Sequence, residues 1–86
     1  MKVSIPGPLR SYTNQAAWVE ADGATVDEVL HDLDRQFRGL RFRVVDEQGR
    51  LRKHMKVFLG DESVRDLDLP VAGFAELTLM QALSGG

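Results

Sequence analysis

The feature that most constrains this chain is a single amphipathic helix over Thr25 to Arg38. Val26, Val29, Leu30, Leu33 and Phe37 fall at i, i+3, i+4, i+7 and i+11, which makes one apolar stripe. Thr25 is placed to cap the N-terminus, and Glu28, three residues on, completes a capping box. Asp27 and Glu28 sit at the positive end of the helix dipole, and Arg35 and Arg38 at the negative end. Gly39 stands where a helix C′ residue is expected. A lone helix has to bury its stripe against a sheet, so the flanking segments must supply strands.

They do so by alternation. Lys2-Val3-Ser4-Ile5 alternates and is stopped by Pro6-Gly7-Pro8. Leu9 to Gln15 is polar and irregular. Ala16 to Glu20 reads as a second strand, with either Trp18 or Val19 facing the core. Leu40, Phe42 and Val44 alternate with Arg41 and Arg43 and predict a third strand. Leu51 to Leu59 predicts a fourth, in which Leu51, Met55, Val57 and Leu59 are apolar while Arg52, His54 and Lys56 are polar. Gly60-Asp61 marks a turn, and Val64 to Val71 suits an irregular connection with a turn of 3₁₀ helix. Leu77 and Leu79 alternate with Thr78 and Met80 in a last strand, Glu76 to Ala82. If the first and last strands pair in parallel at the centre, the helix crosses one face. The expected fold is thus α+β, of β-grasp type, with a mixed sheet of four to five strands and one main helix.

At 86 residues, 43% hydrophobic and 28% charged, the chain fits one small domain of modest stability. It carries no apolar run long enough to span a bilayer and no signal-peptide core, which makes a cytoplasmic location the default. The formal net charge of −2 suggests neither a nucleic-acid nor an anionic-membrane partner. With no cysteine there is no thiolate nucleophile, disulfide scaffold or cysteine-ligated metal. His31 lies off the helix stripe with no second ligand at helical spacing, so it reads as a solvated residue and not a metal ligand. Phe58 falls by parity on the wet face of its strand beside His54 and Lys56. An exposed aromatic there is either ordinary surface or a partner-binding anchor.

The sequence closes on Leu83-Ser84-Gly85-Gly86. Glycine removes side-chain bulk and widens the backbone's conformational choice, so such a tail can thread a narrow site. Its α-carboxyl, which in a free peptide titrates at roughly 3.3–3.7, is an anion at neutral pH and a poor electrophile. Chemistry at that carbon requires activation first. The division expected is a domain over 1–83 and a tail over 84–86.

Taken together, these segments resemble the ubiquitin-like bacterial sulfur carriers: the small subunit of molybdopterin synthase, the thiamine-pathway carrier and the cysteine-pathway carrier. The resemblance rests on Lys2-Val3-Ser4-Ile5 with Pro8-Leu9-Arg10, Gly23-Ala24-Thr25-Val26, Asp46 to Arg52, Lys56 to Arg65, and Leu77 to Gly86. Gly60 to Arg65 is most similar to the cysteine and molybdopterin branches. The chain departs from the family at Gly73-Phe74-Ala75-Glu76, where a Gly-Asp turn is usual, and at Gln81, near which many members have a proline.

What the resemblance implies is a protein that is not itself an enzyme. An adenylating (E1-like) partner activates Gly86 as an acyl-adenylate, and a sulfur donor converts it to a thiocarboxylate. A sulfur-acceptor synthase then receives the sulfur. Gly85, Ser84 and Leu83 give access to the partner's channel, while Phe58, His54 and Lys56 dock the sheet face. No cofactor is bound beyond the transient modification. Two other readings share the fold: a ubiquitin-like modifier forming isopeptide bonds, and a non-covalent β-grasp interaction module. An independent enzyme is disfavoured, because neither histidine has a nucleophile or carboxylate at a motif spacing.

Overall fold

The computed structural model describes residues 1–82. Five strands form one sheet: β1 (Lys2–Ser4), β2 (Trp18–Glu20), β3 (Met55–Leu59), β4 (Glu62–Val64) and β5 (Glu76–Gln81). Their spatial order is β2-β1-β5-β3-β4. β1 and β5 run parallel at the centre, registered through Val3 and Leu77, and all other pairs are antiparallel. The expected central pairing of first and last strands is therefore present. A 3₁₀ helix, Gly7–Thr13, follows β1.

Helix α1 (Val26–Gln36) crosses one face. Val26, Val29, Leu30 and Leu33 are fully buried with Val3, Met55, Val57, Leu77 and Leu79 of the sheet. These are the residues the two periodicities select, 3.6 along the helix and 2 along the strands. Burying four such helix side chains is worth roughly 1.5–3 kcal/mol each.

The start of α1 is closed on every side. The N–H of Val26 donates to the Leu69 carbonyl (3.1 Å) and that of Asp27 to the Leu67 carbonyl (2.8 Å). The N–H of Glu28 donates to Oγ1 of Thr25 (3.2 Å), the expected cap. Glu28 Oε1 accepts from the N–H of Ala24 (3.1 Å), one residue before the cap. The orphan donors of the first turn are thus satisfied, two of them by the irregular segment after β4. Asp32 ties the helix to the end of β2. Its carboxylate accepts the N–H of Asp22 (3.0 Å) and pairs with Arg35, and these contacts, the Asp22 bond first, hold its pKa below the usual value.

Leu40 to Val44 corrects the sequence reading: it is a short helix, α2 (Leu40–Val44), and not a strand. Leu40 and Val44 are both fully buried, while Phe42 between them is 52% exposed. A strand would place all three on one face, whereas a helix separates Phe42 from the pair. The Asp34 carboxylate accepts the N–H groups of Gly39 (3.0 Å) and Arg41 (3.2 Å) and starts the new turn. Gly39 has the left-handed φ, +95°, expected of a C′ glycine. α1 nonetheless caps at Phe37, and Gly39 serves as the N-cap of α2.

The predicted fourth strand begins later than expected, at Met55. Leu51 is buried but forms only an isolated bridge to Val45, and Arg52 to His54 turn the chain. β4 falls in a stretch that the residue pattern leaves as turn and connection; it is three residues long, and Val64 pairs with Val57.

Gly23 is the position where absence of a side chain is obligatory. A Cβ there would lie 2.6 Å from the Val29 nitrogen and 2.8 Å from the Glu28 carbonyl carbon, both backbone atoms. Gly23→Ala is expected to destabilise the domain by about 1–3 kcal/mol, read as a lowered urea midpoint. Gly7→Ala, where a Cβ meets nothing within 4 Å, is expected to move it by less than about 0.5 kcal/mol.

Candidate functional site

β5 is the strand that presents whatever follows it. Leu77 and Leu79 are buried, and hydrogen-bonded neighbours flank β5 on both sides. The pairing with β3 runs through Gln81 opposite Met55, and the N–H of Ala82 donates to the His54 carbonyl at 2.7 Å. The point of departure of the last four residues is therefore fixed to the sheet. Leu83, Ser84, Gly85 and Gly86 lie outside the described residues.

The face of the sheet opposite α1 carries the even positions of β3. The register lines up Trp18, Ser4, Thr78, Phe58 and Ser63 in one row across the five strands. Lys56 and Met80 are opposite one another, one step nearer the end of β5. Trp18 is 49% exposed and Met80 48%, while Phe58 is half-buried among its neighbours. The structure thus brings Lys56 and Phe58 onto one face. It adds Trp18, whose orientation the short alternation of β2 leaves open, and Met80, whose outward parity is readable.

His54 is placed differently. It stands in the turn before β3 and lines a cleft of about 280 Å³ with Leu9, Phe42, Arg43, Arg52 and Gln81. Arg52 is the fixed element of this cleft. Its Nε donates to the Phe42 carbonyl (2.7 Å), and its guanidinium lies 4.7 Å from the centre of the Phe42 ring. A cation held over an aromatic face in this way loses little further freedom when it binds an anion. The residue pattern does not flag this group, because its members come from the 3₁₀ helix, α2, a turn and β5.

A second, larger cleft of about 740 Å³ lies beside it, between Arg41, the turn Asp46 to Lys53 and the segment Arg65 to Asp68. Two charge pairs cross it, while Arg52, Lys53, Arg65, Asp66 and Asp68 line it without an ion-pair partner within 4.0 Å among the described residues. Arg41 pairs with Asp27 at 2.9 Å, and Arg50 approaches Asp46 at 4.0 Å. Arg41 Nε is buried with no partner among the described residues. His31 is exposed on α1, with Nε2 3.3 Å from Asp27 Oδ2. Among the described residues, no group of three or more His, Asp or Glu side chains is placed to hold a metal ion, and no helix is long and apolar enough to cross a membrane.

The wall shared by the two clefts depends on the turn after α2. Asp46 accepts the N–H groups of Arg50 (3.0 Å) and Gln48 (2.9 Å), and these bonds, Arg50 first, lower its pKa.

Comparison with known proteins places this geometry. The ThiS family matches residues 3–86. The sulfur carrier protein CysO of Mycobacterium tuberculosis (strain ATCC 25618 / H37Rv) is 33% identical over 89 residues, covering 98% of this chain and 96% of the relative. Among solved structures, a chain of the Amycolatopsis orientalis BexX/CysO complex superposes with a TM-score of 0.89 at 38% identity, covering 99% of this chain and 98% of that one. SAMP1 from Haloferax volcanii superposes with a TM-score of 0.77 at 30% identity, covering 100% and 98%.

The lowered pKa of Asp46 has a definite sign. Its carboxylate stabilises the fold fully above the unfolded pKa of roughly 3.9, and that contribution is lost as pH falls through the lower folded value. The urea-midpoint difference between wild type and Asp46→Asn is therefore expected to be largest at neutral pH. It should shrink once the pH drops below about 4.

Proposed function

This chain belongs to the ThiS family, and we propose that it is a sulfur carrier whose C-terminal Gly86 is converted to a thiocarboxylate. The observation that carries the reading is the family match running to Gly86, on a domain whose central strand leads directly into that tail. The branch supported is the cysteine type, since the curated relative is named sulfur carrier protein CysO and aligns over almost the whole of both chains.

The chemistry follows from the carboxylate. Ionised, its carbon resists nucleophiles. In an adenylating enzyme, a Gly86 carboxylate oxygen attacks the α-phosphorus of ATP and pyrophosphate leaves. Hydrosulfide from a sulfide source then attacks the acyl carbon and AMP departs with the oxygen, leaving –COS⁻ after loss of the proton. That sulfur is the nucleophile an acceptor synthase uses.

The domain supplies position, not catalysis: residues 1–83 act as the handle and 84–86 as the part that enters a partner's channel. Gly85 removes bulk next to the reacting carbon, and Ser84 and Leu83 line the entrance. Phe58 and Lys56, joined by Trp18 and Met80, form the face that docks, and His54 stands at its edge beside Ala82.

Intact mass after incubation with ATP, the host's adenylating enzyme and a sulfide source tests this. The expected result is a gain equal to exchanging one oxygen for sulfur, lost on deleting Gly86 or on adding a residue after it. Unchanged mass with laddered conjugates would assign an isopeptide-forming modifier. Unchanged mass with neither, and full function with an appended residue, would leave a non-covalent module.

A further inference from the structure

We infer that the end of the sheet from which the chain continues past Ala82 is a cationic rim that docks an acidic protein surface. The strand registers sort the charges along the strand axis. At the end where β5 finishes and β3 begins stand Arg43, Arg52, Lys53, His54 and Lys56. Among the described residues, none of the four Arg and Lys side chains has a carboxylate oxygen within 4.0 Å. The charged and titratable side chains lining the 280 Å³ cleft are all basic.

The opposite end is acidic. Glu20 and Asp22 lie 3.6 and 3.8 Å from the amino terminus. Glu76 is opposite Lys2, and the Gly60-Asp61 turn leads into Glu62 beside it, with the N–H of Gly60 donating to the Glu76 carbonyl. In a chain of net charge −2, unpaired cations thus gather where β5 finishes and carboxylates at the other end, with Asp46, Asp66 and Asp68 sharing the adjoining 740 Å³ cleft with Arg52 and Lys53, and the two ends set a field along the strands. Such a field orients an encounter and raises the productive association rate.

The occupant is settled by what else is present. Phe42 and Met80, each about half exposed, stand among the cations. A partner must therefore offer acidic groups interleaved with apolar ones, as a protein lip does and a phosphate backbone does not. The inference rests on the sulfur-carrier reading for the identity of the partner, the adenylating enzyme, whose acidic lip would surround its channel.

The test uses Arg43→Glu with Lys53→Glu. Neither side chain makes a hydrogen bond to another described residue, so an unchanged urea midpoint verifies folding. Lys2→Glu, at the acidic end, serves as the control. ATP–pyrophosphate exchange by the adenylating enzyme gives kcat and KM, and anisotropy of the labelled carrier gives binding directly.

The expected result is a KM and Kd raised about 10-fold or more at low salt, with kcat unchanged. The gap should close as salt approaches ~1 M, and Lys2→Glu should have little effect. Unchanged KM and Kd, an equal effect of Lys2→Glu, or a lowered KM, which would mark release of the carrier's own tail, would overturn the inference. The two readings fail separately. Exchange without rim dependence defeats the rim alone, and rim-dependent binding without exchange defeats the sulfur-carrier reading alone.

Discussion

The structure depends on one contact surface, the stripe of α1 against the centre of the sheet. Val26, Val29, Leu30 and Leu33 contribute roughly 6–12 kcal/mol on burial, a sum comparable with the whole net stability of a domain this size. Everything else adjusts to that contact. The loop from Asp66 to Val71 packs Leu67 and Val71 into the core and turns two carbonyls onto the first helical N–H groups. Gly23 lets the chain pass within contact distance of the helix backbone. The core is complete on one face of the sheet, so the outer face and the two ends, where Trp18, Phe42 and Met80 are exposed, are free to be specialised.

That specialisation follows from period-2 geometry. Each strand sends alternate side chains inward, and the residues left outside are assembled by register alone. Trp18, Thr78 and Phe58 are distant in sequence, and they share a row because β1 bridges β2 to β5 and β5 bridges β1 to β3. The same register decides which charged turns share an end. Chemistry proposed for Gly86 then needs no catalytic side chains in the domain, only a rigid point of attachment.

How legible each part is depends on how far its signal reaches. α1 is readable because a stripe over three turns and a cap reinforce one another. β5 is readable because it alternates over six residues. α2 is not, since over five residues a helix and a strand agree on Leu40 and Val44 and differ only at Phe42. β4, three residues long, carries too little pattern to separate from a loop. Of the proposed site, the tail is read from its glycines and from the resemblance, and the shared face of Lys56 and Phe58 from strand parity. The Arg43–Arg52–His54 cleft is invisible in the residue pattern, because that pattern makes Leu40 to Val44 a strand and the cleft exists only once α2 is a helix beside the turn at Arg52.

The parallel pairing of β1 with β5 also governs how such a chain comes to fold. Val3 and Leu77 meet across almost the full length of the sequence, a contact of high order that makes closure of the sheet slow relative to local helix formation. The strand completing the middle of the sheet is also the last of the five in sequence, and so the last of them to be synthesised. Until it arrives, β1 and β3 each carry an open edge, the kind of surface on which chains aggregate and proteases act. Maturation is thereby tied to synthesis: a chain cut short anywhere before β5 lacks both its central strand and the segment that follows it. The cell then meets that segment only on molecules whose folding has had every strand to work with.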